Sequence, residues 1–336
     1  MHRQVPATQA SADRSRSALM RRVAAAGIGI AAGAAFLYAA LRGVDMAAVG
    51  QILAHGNWGV PAIAVLCGVG LFIGFKSRRW RMLLGDAETT TTRELLRPVA
   101  IGLLFNALLA HTGEIARSII VNRKYGLPIP TVLISIAVER LFDVLAVLAL
   151  ATIAGAVTPV PSALAPPLRV LATLACAAGL LLAACLWQPR RALSILKLST
   201  RWLPDRGQAW VDRQFHHAFD GIEPLRASHR LPVVFLWSLI QWGAIVWSIA
   251  WCGRVAGQPI GPALAVLVMV GMVVVFMLPN APAYLGATQI AFLAVLAPVG
   301  ISRAGAIACS AVYLLLFIVP TMAAGAFALV GRPKTT

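Results

Sequence analysis

Acidic residues are scarce in this chain of 336: there are 12 Asp and Glu against 29 Lys and Arg, a net charge of +17. Charged residues of both signs make up only 12%, too few to clothe a soluble domain of this size. Five cysteines, Cys67, Cys176, Cys185, Cys252 and Cys309, sit singly inside apolar runs, with no CxxC and no Cys/His cluster. They read as small buried hydrophobes, so neither a zinc site nor a disulfide framework is indicated. The sequence holds no Walker A loop, no GxGxxG after a strand and no HExxH, which removes the ATP-driven pump, the dinucleotide enzyme and the zinc hydrolase from consideration. No cofactor and no metal are expected. His216 and His217 lie beside Phe215 with no further ligand residues nearby, a solvated pair rather than a metal site.

Apolar residues supply 59% of the chain and the mean hydropathy is +0.80. That describes an all-α integral membrane protein, because a helix of ~20 apolar residues satisfies its own backbone while crossing the hydrocarbon core. The excess of basic residues need not mean nucleic acid, and none is expected as a partner. The bases stand at the ends of apolar runs, as in cytoplasmic loops, where anionic lipid is the natural counter-charge.

In chain order, residues 1–22 are a basic, polar tail. Spans follow at Val23–Leu41 and Trp58–Phe75, the second ending in Lys76-Ser77-Arg78-Arg79-Trp80-Arg81, read as a cytoplasmic anchor. Arg97–Ala110 is apolar but short. With Glu114–Val121 it suggests a hairpin entering from the cytoplasm, its turn near Asn106–Gly113; an amphipathic surface helix fits the same residues. Glu114 and Arg117 share a helical face.

Thr131–Val157 is a span carrying Glu139, Arg140 and Asp143. Each ionised group at mid-membrane costs roughly 2.5–3.5 kcal/mol on insertion scales, so the three must face protein, water or head groups. Glu139 and Asp143 are four apart, which lets one carboxylate pair with Arg140 and leaves one over. Two readings stand: a functional site, or a buried ion pair that only locks helices together.

Leu168–Trp187 and the Trp-rich Pro232–Trp251 are further spans, separated by a basic amphipathic loop at 190–230. Ala263–Leu278 then runs into Pro279, Pro282 and Gly286 before Ile290–Val299, which predicts a second hairpin. The helix start after Gly286, with Gln289, is a candidate anion site; a Pro kink repaired by neighbouring helices is the other reading. Ala304–Val330 is the last span and 331–336 a second cytoplasmic tail. Placing the termini, 76–97, 117–124 and 190–230 inside leaves only Arg42, Arg169, Arg254 and Arg303 outside. The expected architecture is thus one membrane domain over 23–330, with about six full crossings and two broken or re-entrant hairpins of opposite sense, a pointer to a transport site near the midplane.

Gly113-Glu114-Ile115-Ala116-Arg117, then Glu139-Arg140-Leu141-Phe142-Asp143, then the Leu278–Gln289 break resemble the lysylphosphatidylglycerol synthase transmembrane-region family. This is the flippase-like region of the multiple-peptide-resistance factor and its stand-alone relatives. The third element departs from the family pattern, with Gln289 where an acid is expected and one glycine fewer. That departure is compatible with a neutral or bulkier lipid, and the chain resembles in size the members associated with hopanoid biosynthesis. The resemblance implies a bacterial inner-membrane flippase-like protein moving a phospholipid or hopanoid-type lipid, not an enzyme. Its partners would be membrane lipids and proteins of lipid biosynthesis. Its transport site would comprise Glu114, Arg117, Glu139, Arg140, Asp143, Pro279, Gly286 and Gln289, with Gly286 letting backbone approach the ligand. A non-transporting scaffold for lipid-synthesis enzymes is the alternative.

Overall fold

A computed structural model describes residues 31, 33–84, 90–109, 112–188, 204, 207–209, 211–214, 216, 230–277 and 281–331. The tails, His111, Pro279 and most of the 190–230 loop lie outside the described residues. Among the described residues every regular element is helical. The helices are α1 (Gly33–Leu41), α2 (Met46–Ala54), α3 (Val60–Leu83), α4 (Thr92–Leu108), α5 (Gly113–Tyr125), α6 (Ile129–Val157) and α7 (Ala165–Trp187), followed by α8 (Arg230–Val255), α9 (Pro262–Phe276), α10 (Ala287–Leu296), α11 (Arg303–Tyr313) and α12 (Val319–Val330).

Their limits follow from local chemistry. Pro61, Pro130 and Pro262 stand in the first turns of α3, α6 and α9, where the missing N–H has no helical partner to lose. Thr91 and Glu94 cap α4 reciprocally, the threonine hydroxyl accepting from the Glu94 N–H and the carboxylate from the Thr91 N–H. Gly126, at φ 70°, ends α5 in the left-handed conformation that glycine adopts without strain. Pro320 cannot donate to the preceding turn, and the chain widens there into a π-turn at Leu314–Ile318 that joins α11 to α12.

Among the described residues five runs are, by length and composition, able to cross a membrane: α3, Ser162–Ala184, α8, Pro282–Val299 and Arg303–Val330. The α1–α2 pair, bent by 88°, makes a sixth. At 29 residues α6 is also long enough, about 44 Å at 1.5 Å per residue. The α4 and α9 helices, of 17 and 15 residues, fall short of the ~30 Å core. Each folds back on its successor: α4 against α5 at Gly102 and Gly113, α9 against α10 at Gly271 and Ala291. These are the two hairpins. The protein is therefore a multi-pass membrane protein.

The helix partners recur in two corresponding sets. α3 packs on α4 and α6 as α8 packs on α9 and α11; α4 pairs with α5 as α9 does with α10; α5 packs on α6 as α10 does on α11. α4 lies along α12, and its counterpart α9 lies along α6. The two sets join through α3 and α8, which run antiparallel. Asn57 bonds to Val255, Gly68 abuts Ser248, Phe75 meets Trp237 and Arg79 reaches Ser238. The matching partners and the antiparallel α3–α8 pair bring the two broken helical hairpins toward one another, the kind of place where transporter sites form.

Two sequence expectations change. The basic run after Phe75 is not a surface anchor: α3 continues unbroken to Leu83, and Lys76, Ser77, Arg79 and Trp80 are all buried. Tertiary carboxylates explain this, as described below. The cysteines also divide, Cys252 and Cys309 being buried and Cys67 and Cys176 exposed on the apolar outer surface.

Candidate functional site

The centre of the molecule is an ion cluster built by α3, α5 and α6. Lys76 and Arg79 are three apart on α3; Glu139 and Asp143 are four apart on α6. Each pair therefore presents two charges from one helix face. Arg79, fully buried, donates to Asp143 Oδ1 at 2.6 Å, to Ser238 Oγ at 2.7 Å and to Glu139 Oε1 at 3.1 Å. Arg117 donates to Glu139 Oε2 at 2.7 Å, its guanidinium lying 3.8 Å from the centroid of the Trp80 ring. Trp80 is held in turn by its N–H to Ser135 Oγ at 3.1 Å. Lys76 Nζ also donates to Glu139 Oε1. The Trp242 indole N–H reaches Asp143 Oδ1 at 2.9 Å.

Arg140 does not take up this role. It turns away from Glu139 to Glu114 at the start of α5, with Asp143 Oδ2 3.8 Å from its other terminal nitrogen. Asn106 steadies the same corner. Its amide donates to Glu114 Oε1 at 3.3 Å and its carbonyl accepts from the Gly113 N–H at 2.8 Å. Glycine is needed here by space: a Cβ on Gly113 would stand 2.0 Å from the Gly102 carbonyl, and one on Gly102 would stand 2.6 Å from Arg117 Cγ. The two glycines let the arms of the first hairpin close and Arg117 lie across them.

Neither carboxylate of α6 is left over, then, because α3 supplies two cations that sequence reading had placed at the surface. Glu114 and Arg117, though on one face, pair with different residues of α6. Counted together, Lys76, Arg79, Arg117 and Arg140 face Glu114, Glu139 and Asp143, a formal excess of one positive charge. Nearly all of that cluster is closed to solvent. Arg140 is the exception, with 47% of its side chain exposed against 3% for Arg117 and none for Arg79.

The exposed side of Arg140 opens into two adjoining cavities. An inner one of 180 Å³ is walled by Phe72, Phe276, Tyr313 and Phe317, with Lys76, Asp143 and Gln241 at its polar end. A larger one of 580 Å³ lies between α6 and α9, walled by Leu133, Val144, Val147 and Met277. Both touch Asn106, Arg140, Asp143, Trp242, Phe276 and Tyr284. Polar groups at one end and an apolar groove at the other suit an amphipathic ligand.

The second hairpin meets this site through Tyr284, which stacks on Phe276 with ring centroids 4.2 Å apart. Ala283 and Tyr284 both have positive φ, 59° and 56°, a costly conformation for residues with a Cβ. At the helix start after Gly286, the Gln289 side chain accepts from the Gly286 N–H at 2.8 Å and so takes up one of the donors there. Gly286 also allows a close approach between helices: with φ at 81°, a Cβ there would stand 2.4 Å from the Gly33 carbonyl and 2.6 Å from the Leu37 nitrogen, so glycine admits α1. Pro279 lies outside the described residues.

The family model for the lysylphosphatidylglycerol synthase TM region matches residues 25–325. The chain belongs to this family. Comparison with curated proteins and with solved structures gives no match. Within this family member, the Gly113–Arg117 and Glu139–Asp143 elements that carried the resemblance interlock as two ion pairs across α5 and α6. Sequence reading missed Lys76, Arg79, Trp80, Asn106, Gln241 and Trp242. One signal was available for the first three. Val65, Val69, Phe72, Lys76, Arg79 and Leu83 continue a single three-and-four spacing, so the buried stripe of α3 passes through the charges without a break.

Proposed function

We propose that this protein is a lipid transporter of the flippase kind, which carries an amphipathic lipid between leaflets of a bacterial inner membrane with both termini cytoplasmic. The observation that carries the reading is the pair of adjoining cavities with the half-exposed Arg140 between them, where the two hairpins meet. The Arg140 guanidinium receives the head-group anion. The groove between α6 and α9 receives the chains, so the lipid need not leave an apolar surface as its head crosses. Arg117, Arg79 and Lys76 are already satisfied by Glu139 and Asp143. Their part is to hold α3, α5 and α6 in register, so that Arg140 stands at the cavity edge. Phospholipid and hopanoid-type substrates both meet this description when they carry an anionic head. No chemical step on the lipid is assigned.

The test is translocation of a fluorescent phospholipid in proteoliposomes, read by dithionite quenching. Arg140→Ala is expected to slow translocation about tenfold or more, the equivalent of one lost charge-assisted pairing. Equal rates for the variant and the parent would remove Arg140 from the site and the reading with it.

A further inference from the structure

We infer that Glu114 is an internal stand-in for the lipid anion: its carboxylate occupies Arg140 when the site is empty, and a lipid phosphodiester takes its place on binding. This inference rests on the reading of Arg140 given above. Of the three carboxylates in the cluster, Glu139 is locked by three buried donors, and Asp143 by the buried Arg79 and the Trp242 indole, though its Oδ2, like Glu114 Oε2, has no hydrogen-bond donor among the described residues. Glu114 is held differently. Its charged partner is Arg140, which is half-exposed at the cavity edge, and its other side-chain bond is a 3.3 Å contact from Asn106. Its second oxygen, Oε2, is buried and meets no donor among the described residues.

The position matters as much as the pairing. Glu114 opens α5 at the tip of the first hairpin, and both it and Arg140 line the larger cavity beside Tyr284 at the tip of the second. An anion arriving along that cavity meets Arg140 on the side Glu114 occupies. An ion pair exposed on one side contributes little net stability, so exchange of one anion for another is nearly balanced. Charge is conserved in the exchange, and the displaced carboxylate remains beside Asn106. Re-pairing of Glu114 then expels the lipid, which gives the carboxylate a part in release as well as in waiting.

The stand-in makes opposite predictions for binding and for turnover. The protein in nanodiscs of zwitterionic lipid is titrated with fluorescent phosphatidylglycerol, and translocation of the same probe is followed in proteoliposomes. Glu114→Gln, which keeps the size and removes the charge, is expected to bind about fivefold more tightly, the scale of one half-exposed ion pair, and to translocate more slowly. Arg140→Ala loses binding. If Glu114→Gln binds more weakly while Arg140→Ala also loses binding, Glu114 is only a brace and the stand-in is overturned, with Arg140 intact as the anion site. If Arg140→Ala binds as the parent does, the underlying reading is overturned instead. Inorganic phosphate competes with the probe if the anion alone is recognised; phosphate without effect assigns the recognition to the lipid phosphodiester, and the stand-in holds in both cases. A measurement on the unaltered protein guards against misfolded variants. The Glu114 carboxylate band in the infrared difference spectrum shifts toward the unpaired position on adding the lipid, and an unshifted band overturns the inference.

Discussion

Removing Arg79 should strongly destabilise this protein. The guanidinium is fully buried and makes three bonds, to Asp143, Ser238 and Glu139. Hydrogen bonds to charged groups are each worth about 1.5–3 kcal/mol, which gives roughly 3–6 kcal/mol for the two carboxylate bonds. The carboxylates are not wholly abandoned. Glu139 keeps Arg117 and Lys76, and Asp143 keeps the Trp242 indole and Arg140. The lower half of that range, about 3–4 kcal/mol, is therefore expected for Arg79→Ala, in line with the cost of breaking a buried ion pair. Arg79→Lys retains the charge but not the fork that reaches two helices and Ser238, so most of the loss persists. Replacing Arg79 together with Asp143, as Arg79→Met with Asp143→Asn, leaves Glu139 paired with Lys76 and Arg117 and Arg140 paired with Glu114, and should recover stability to within about 1–2 kcal/mol of the parent. Reversible unfolding in mixed micelles measures these differences. An Arg79→Ala protein as stable as the parent would show that water or lipid head groups reach the cluster, contradicting its burial. A double variant that recovers stability and still transports would show that the Arg79–Asp143 pair serves only the fold.

Two further outcomes follow from the same geometry. Gly286→Ala places a methyl 2.4 Å from the Gly33 carbonyl at a φ of 81°, so it should destabilise by about 1–3 kcal/mol, measured by the same unfolding method, whereas Gly179→Ala, which meets open space, should not. Glu94, outside the spans, has its carboxyl pulled down to about 2 by the Thr91 N–H and by Lys124. A lowered folded-state value means that this cap and bridge are fully formed above the ordinary 4.5 and are lost as pH falls toward 2. A carbon NMR titration of Glu94 should show a midpoint near 2, rising only part of the way toward 4.5 in Lys124→Ala, because the Thr91 N–H remains; an unaltered 4.5 in the parent would refute the cap.

The sequence alone determined that this chain lives in a membrane, how many apolar runs it has, and that two of them break. Those properties follow from local facts: run length against bilayer thickness, proline in a helix, and the cost of charge in hydrocarbon. The motifs shared with the family also grouped Glu114, Arg117, Glu139, Arg140 and Asp143, which the structure brings into one ion cluster. What they meet was not legible. Lys76 and Arg79 look like a surface anchor by their charge, while the spacing of α3 already points them inward; only a carboxylate 60 or more residues away makes their burial tolerable. Helical spacing offered Arg140 a carboxylate on its own helix, Asp143, and could not show Glu114 on α5; the approach of α4 and α5 at two glycines brings Glu114 to it. Gly286 and Gln289 carry the same lesson. Their residue types announced an unusual backbone, but whether that backbone faces a ligand or another helix depends on where α1 lies, and pairwise proximity between distant segments is what tertiary structure adds.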